Sequence, residues 1–205
     1  MLVWLLSAAV VVELFTSQGC SSCPPADQLI SQLAKNRGQV IPLAFHVDYW
    51  DHLGWRDPFS SRLWTQRQMM YVRAFHLNSA YTPQFVVNGA RQSIEEASHA
   101  KPAGSVTLDV VRDAANIKAT IRADAPPNSD IVLVVFENNV STRIERGENE
   151  GRSTTDDAIV RKLLRVQNGT VTVPVDPSWK HLGVVVFLQD RTTLAIGAAA
   201  VAPAP

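Results

Sequence analysis

The two cysteines of this chain, Cys20 and Cys23, stand three positions apart where a strand is expected to meet a helix. The apolar run at 10–15 predicts a short buried strand before them, and apolar residues at helical spacing over 26–34 predict a helix after them. The prolines at 24–25 favour a helix that begins there, because proline costs little in a first turn. A pair placed in this way can close a small disulfide ring at the start of the helix.

The position of the pair also predicts a role for each cysteine. A helix N-terminus presents unpaired N–H groups and a partial positive charge of about half a unit, which stabilise a nearby thiolate. Cys20, expected to be the more exposed of the two, is the predicted nucleophile, and Cys23 is the predicted buried resolving thiol. Asp27 lies in the same first turn, where its negative charge opposes thiolate formation, so the balance of the two effects stays open.

The pattern up to residue 100 alternates strands and helices. A second buried strand is predicted within 39–50, an amphipathic helix within 57–77 and a third strand at 85–87. Ser93 and Glu96 have the spacing of a capping box, which indicates a further short helix. The sequence therefore predicts an α/β unit over residues 10–100.

From Lys101 onward the chain consists of short β-prone runs separated by turns, which predicts a β-sandwich-like domain over residues 105–202. The best boundary between the two predicted domains is 101–104. Asn-Gly-Thr at 168–170 predicts a hairpin, and the polar stretch 145–157 predicts a loop that is either functional or merely solvated.

Three segments carry a resemblance to a known family: VVELFTSQGCSSCPPAD at 11–27, HVDYWDHLGWRDPF at 46–59 and YTPQFVVNG at 81–89. They resemble a family of secreted bacterial thioredoxin-like proteins catalogued mainly as a domain of unknown function. The resemblance is strong across 11–89 and weaker from residue 101 onward, where ERGENEGR is the most recognisable piece. It implies an exported protein with a thioredoxin-like N-terminal domain and an appended β-sandwich-like C-terminal half.

The same resemblance implies roles for three further residues. Pro83 is expected to be a cis-proline that faces the disulfide, with Thr82 beside it in the substrate-binding position. Glu13 is the counterpart of the buried acid that assists the resolving thiol, although its spacing is one residue longer; the alternative is a surface acid at a strand end. The dipeptide at 21–22 is Ser-Ser rather than Gly-Pro, so the redox direction and potential stay open.

The segment 46–59 concentrates aromatic and acidic residues where the second strand is expected to end, at the sheet edge where ligands gather. Tyr49, Trp50 and Trp55 could form the apolar wall of a groove for an extended peptide or a small ligand. In the alternative, these rings only cap the core, and Arg56 pairs with a neighbouring aspartate.

The segment also holds the residues of a possible metal site, namely His46, Asp48, Asp51 and His52. Thiolates of the CxxC pair together with an imidazole would suit copper(I) better than structural zinc, which wants four ligands. Single histidines are more often core or surface residues than metal ligands, so we assign no metal ligand and expect no cofactor.

Composition narrows the partners and the compartment. Lys plus Arg and Asp plus Glu are 19 each, so no net charge attracts nucleic acid. The first twelve residues are apolar but too short to cross a bilayer, so we expect no membrane span. We interpret 1–9 as a short, atypical leader without Lys or Arg, which predicts a periplasmic or secreted protein.

Three functions follow from these residues. The leading hypothesis is a thiol-disulfide oxidoreductase that acts through Cys20 and Cys23 on protein or small-molecule thiols and disulfides. The alternatives are a binding module whose disulfide is purely structural, and a copper(I) metallochaperone that uses the CxxC pair. The oligomeric state is left open.

Overall fold

The computed structural model of the protein describes residues 9–36 and 39–204, so all but the last residue of the expected leader at 1–9 lies outside the described residues. The fold is mixed α/β and consists mostly of strands. Its helices are α1 (Pro24–Lys35), α2 (Arg62–Ala74) and α3 (Ile94–Ser98), with a 3₁₀ turn at Asp51–Leu53. Its strands are β1 (Val10–Thr16), β2 (Val40–His46), β3 (Gln84–Val87), β4 (Ser105–Arg112), β5 (Asn116–Asp124), β6 (Ser129–Glu137), β7 (Val140–Arg143), β8 (Ser153–Asp156), β9 (Ile159–Val166), β10 (Gly169–Pro174), β11 (Leu182–Asp190) and β12 (Ile196–Pro203).

The central feature is a seven-stranded sheet in the order β12-β11-β6-β9-β2-β1-β3. β1 runs parallel to β2 and antiparallel to β3. β2 pairs in parallel with β9 through Ala44 and Ile159, so strands from both sides of residues 101–104 share this sheet. The division into domains at 10–100 and 105–202 stays a prediction.

β1 is buried on both faces, and its side chains alternate between two layers. Val12 and Leu14 pack with Ile30 of α1, whereas Val11 and Phe15 pack with Tyr71 of α2. The alternation decides which polar side chains of β1 can reach the start of α1.

A second, three-stranded sheet in the order β10-β5-β4 packs on the C-terminal strands of the large sheet. Ile117 and Ile121 of β5 meet Leu133 of β6 and Val184 of β11 in this layer. Strands β6 and β11 are apolar almost without interruption because both of their faces are buried, one against each layer.

Two expectations for the C-terminal half are corrected. The hairpin at 168–170 does not form, because β9 belongs to the large sheet and β10 pairs with β5 of the small one. The Asn168 side chain bonds both backbone groups of Ala123 instead. The loop at 145–157 is shorter than expected: 153–156 forms β8 and pairs with β7. β8 was not predicted because its Ser and Thr residues show no alternation of apolar and polar side chains.

Candidate functional site

Cys20 and Cys23 form a disulfide between the end of β1 and the start of α1, with their Cα atoms 5.4 Å apart. Cys23 is the N-cap residue of α1, and the prolines at 24–25 follow as its first helical residues, as predicted. Both cysteines are buried, with exposed fractions of 1% and 0%. Cys20 is thus only marginally the more exposed partner, and neither cysteine lies at the surface.

The Thr82–Pro83 peptide bond is cis, as the family resemblance implies. Ser22 connects it to the disulfide: its Oγ donates to the carbonyl oxygen of Thr82 at 3.5 Å and lies 3.4 Å from the Sγ of Cys20. The structure thus brings the segment 82–83 and the CxxC segment together.

The aromatic side chains beyond β2 pack around the residues that precede the disulfide. Trp50 donates its indole N–H to the Oγ1 of Thr82 at 2.8 Å, and Trp55 donates its own to the Oε1 of Gln18 at 3.2 Å. A Cβ at Gly19 would lie 3.2 Å from the Cβ of Trp50, so the indole ring packs closely against the backbone there. Tyr49, Trp50 and Trp55 are half-buried, which leaves part of each ring at the surface.

A buried pair of charges lies next to these aromatic residues. The Nδ1 of His46 is 2.7 Å from the Oδ2 of Asp57, which also accepts the backbone N–H of Gln18 at 2.8 Å. Burial lowers the pKa of His46, but the charge and hydrogen bond of Asp57, together with the charges of Asp156 and Asp27, outweigh it and raise the pKa to about 9. Burial likewise opposes ionisation of Asp57, but His46 and the backbone N–H groups of Gln18 and Phe59 together outweigh it, and the pKa of Asp57 is lowered. His46 is therefore an imidazolium at neutral pH.

The residues weighed for a metal site have other partners. Besides the His46–Asp57 pair, Asp48 accepts from Thr65 at 2.5 Å, Asp51 accepts from Ser60 at 2.7 Å, and His52 bonds the carbonyl of Tyr49 at 2.8 Å. Within residues 9–36 and 39–204, no three His, Cys, Asp or Glu side chains are grouped so as to hold a metal ion.

The acid that lies at the start of α1 is Asp27. It follows Cys23 by one helical turn, and its backbone N–H donates to the carbonyl of Cys23 at 3.1 Å. Its Oδ1 accepts from the hydroxyl of Thr16, the last residue of β1, at 2.6 Å. Burial raises the pKa of Asp27 to about 7, and His46 only partly offsets this.

Glu13 lies on the other face of β1, because side chains alternate along a strand. It is fully buried, and its carboxylate bonds the Nε of Arg67 at 2.6 Å and the hydroxyl of Tyr71, both on α2. The structure does not bring Glu13 to Cys23, so the expected proton relay has no contact to support it. The expectation of a surface acid at the strand end is also corrected by this burial.

Sequence reasoning missed a contact from the loop between β7 and β8, residues 144–152, which we call the β7–β8 loop. The side-chain N–H₂ of Asn149 donates to the carbonyls of Gln18 and Cys20 at 2.9 and 2.8 Å. The carboxylate of Glu148 accepts the backbone N–H of Ser21 at 3.1 Å. The only signal for this contact was the recognisable ERGENEGR segment, which says nothing about where the loop packs.

Comparisons with known proteins give one family and one similar solved structure. The model of a family described as "protein of unknown function (DUF1223)" matches residues 11–189. A crystal structure of a protein from Agrobacterium tumefaciens, a structural genomics target, is 28% identical with a TM-score of 0.68, over 94% of this chain and 92% of that one. No curated protein matches the chain. In the described part of the chain, no helix combines the length and apolar character needed to cross a membrane.

Proposed function

Because the chain belongs to the family of proteins of unknown function DUF1223, its own residues must identify its activity, and we propose that it is a thiol-disulfide oxidoreductase. One observation carries the proposal: the Cys20–Cys23 disulfide lies at the amino end of α1, with Ser22 linking it to the carbonyl of Thr82. A disulfide in that position is next to the positive end of a helix, which stabilises the thiolate released by exchange.

We propose further that β1, α1, β2, α2 and β3 form a thioredoxin-like unit. Its support is the parallel pairing of β1 with β2, the antiparallel pairing of β1 with β3, and the packing of α1 and α2 on opposite faces. In this unit Pro83 faces the redox pair, and Thr82, Tyr49, Trp50 and Trp55 border the place where a substrate binds.

The reaction is a two-step exchange. A substrate thiolate attacks the Sγ of Cys20, the Cys20–Cys23 bond breaks, and its electron pair goes to the sulfur of Cys23. A second substrate thiolate attacks the substrate sulfur of the mixed disulfide and releases Cys20 as a thiolate. The substrate leaves as a disulfide, and the protein keeps two electrons and, after protonation, two protons. The reverse sequence reduces a substrate disulfide.

Asp27, rather than Glu13, is the proposed proton donor and acceptor for Cys23. It lies one turn after Cys23, and its pKa of about 7 lets it exist in both forms near neutral pH. In the oxidising direction, protonated Asp27 supplies the proton that the leaving Cys23 thiolate takes up. In the reducing direction, ionised Asp27 removes it.

We also propose that the protein works in the periplasm or outside the cell. Support comes from the disulfide itself, since paired cysteines persist in oxidising compartments. The proposed partners are protein or small-molecule thiols and disulfides.

A second candidate function, a binding module with a structural disulfide, is favoured by one observation. Both cysteines are buried, at 1% and 0% exposed, as a disulfide that only fastens β1 to α1 would be. The two functions differ in whether the disulfide can be reduced without unfolding.

The test is turnover in insulin reduction and in oxidative refolding of a reduced protein, with Cys20→Ser as the inactive control. We expect a catalysed rate in at least one assay and none with Cys20→Ser. In addition, Cys23→Ser should accumulate mixed disulfides through Cys20 in cells. No rate in either assay, together with an empty trap and a disulfide reduced only on unfolding, would support the binding module instead.

A further inference from the structure

The loop that packs on the redox segment comes from a distant part of the chain. The β7–β8 loop joins two polar strands, and its base is closed by two backbone bonds of 2.9 Å between Ile144 and the pair 151–152. Ile144 is buried at 1%, so the base is anchored in the protein. From that base the tip reaches back to residues 18–21, more than a hundred positions earlier.

Three hydrogen bonds join the tip to the redox segment. Two come from the amide of Asn149, which is only 2% exposed and holds the carbonyls of Gln18 and Cys20. The third joins the carboxylate of Glu148 to the N–H of Ser21, between the two cysteines. At the other side of the tip, a Cβ at Gly147 would lie 3.2 Å from the Cβ of Trp55. The tip is thus fitted between the redox segment and the aromatic side chains.

One atom of this contact lacks a partner. The Oδ1 of Asn149 is buried and accepts no hydrogen bond from residues 9–36 or 39–204, although burying an unpaired amide oxygen is costly. A tip that only stabilised the fold would gain from satisfying this oxygen. This unpaired oxygen makes the closed position of the tip less stable than a fully paired contact would be.

We propose that Glu148 and Asn149 form a clasp that determines which thiols reach the Cys20–Cys23 disulfide. The clasp holds residues 18–21 in the closed conformation in which both sulfurs are shielded. A substrate protein that displaces the tip gains access to Cys20, whereas a small thiol has to wait for the tip to open by itself. The control of substrate access rests on the proposed function, whereas the closed position of the tip is a property of the oxidised protein itself.

The test is the rate at which dithiothreitol reduces the disulfide in the folded protein. Each molecule of dithiothreitol gives up two electrons and two protons, becomes a cyclic disulfide and leaves two thiols, which are quenched with an alkylating agent and counted by mass. Glu148→Gln removes the negative charge that strengthens the bond to the N–H of Ser21, and Asn149→Asp keeps the size of the side chain but removes both donors. We expect each to speed reduction by about tenfold.

The matched control is Glu150→Gln, on the same loop, where the exposed side chain bonds nothing in the described structure. It should reduce at the wild-type rate, and thermal unfolding of all variants shows whether the fold is kept. Wild-type rates in both Glu148→Gln and Asn149→Asp would overturn the clasp, as would equal acceleration by Glu150→Gln. This experiment measures reduction of the protein's own disulfide and does not depend on catalysis. Faster reduction of the two variants, with no insulin turnover by the wild type, would therefore support the clasp and contradict only the proposed oxidoreductase activity.

Discussion

The carboxyl group of Asp27 titrates near neutral pH because it is half-buried at the start of α1, and burial raises its pKa from 3.8 to about 7. Its pKa in the folded protein thus exceeds that of the unfolded chain, so folding opposes its ionisation. The contribution of Asp27 to the free energy of unfolding is most favourable below about pH 4. It falls as the pH rises towards 7 and is least favourable above that.

Replacing Asp27 by Asn removes this ionisation but leaves an oxygen that can accept from Thr16. We expect Asp27→Asn to raise the free energy of unfolding at pH 8 by about 1 to 2 kcal/mol and to change it little at pH 4. Urea denaturation at the two pH values measures this, with the exposed Asp124→Asn as control. A variant less stable than wild type at pH 8 would contradict the expected burial of the charge.

The same substitution tests the chemistry of the redox pair. If Asp27 takes and gives the proton of Cys23, insulin reduction by Asp27→Asn should be slower at pH 7 and above and should lose the rise in rate through pH 7. An unchanged pH profile in a well-folded variant would leave Asp27 a purely structural acid.

The residues at this site differ in how far the sequence could predict them. Cys20, Cys23 and the segment 82–83 lie in short local motifs whose backbone context is visible in the sequence. Choosing between Glu13 and Asp27 required knowing which face of β1 is covered by α1. Both faces of β1 are apolar and buried, so hydrophobic alternation could not decide this. The tip of the β7–β8 loop contacts residues that are distant in sequence, which no local pattern reports.

At the scale of elements, one buried arginine joins α2 to two strands. Arg67 donates to Glu13 of β1 at 2.6 Å and to Gln189 of β11 at 3.2 Å, and its guanidinium lies within 5.7 Å of the Phe187 ring centre. The neighbouring carboxylate thus compensates a charge that would otherwise be buried alone. This position explains why Glu13 is buried without serving the cysteines.

Glu13→Gln should therefore destabilise the protein by roughly 3 to 5 kcal/mol, because it leaves the Arg67 charge without a partner. Urea denaturation measures the loss, and a cycle with Arg67→Met and the double variant isolates the pair. The exposed pair of Arg122 and Asp109 provides the control, with Asp109→Asn costing about 1 kcal/mol or less. If Glu13 were instead the proton relay, Glu13→Gln would keep its stability and lose the pH dependence of turnover.

At the scale of the whole molecule, the sequence indicated two successive patterns but not the sheet that joins them. The alternation of strands and helices up to residue 100 and the β-rich character beyond it both match the described elements. The pairing of β2 with β9 depends on a single pair of residues and has no sequence signature. The long-range order of strands is set by side-chain packing between the halves, which local periodicity does not encode.

That packing predicts how the molecule unfolds. One hydrophobic cluster contains Phe45 and Trp64 from the first pattern together with Val134, Val185 and Phe187 from the second. Because neither half can keep this cluster buried without the other, we expect a single cooperative transition in urea at constant disulfide state. Trp179→Phe provides the probe, since the tryptophans left in that variant all precede residue 101.

In this variant, tryptophan fluorescence reports on the part of the chain before residue 101, and far-UV circular dichroism reports on the strands of both parts. The two transitions should coincide within error and give the same free energy of unfolding. A fluorescence transition at lower urea, with most of the strand signal retained, would mean that residues 105–202 keep a core of their own. The small sheet and its cluster around Ile117 would then be the stable remainder, and the shared cluster would contribute less to folding than its burial implies.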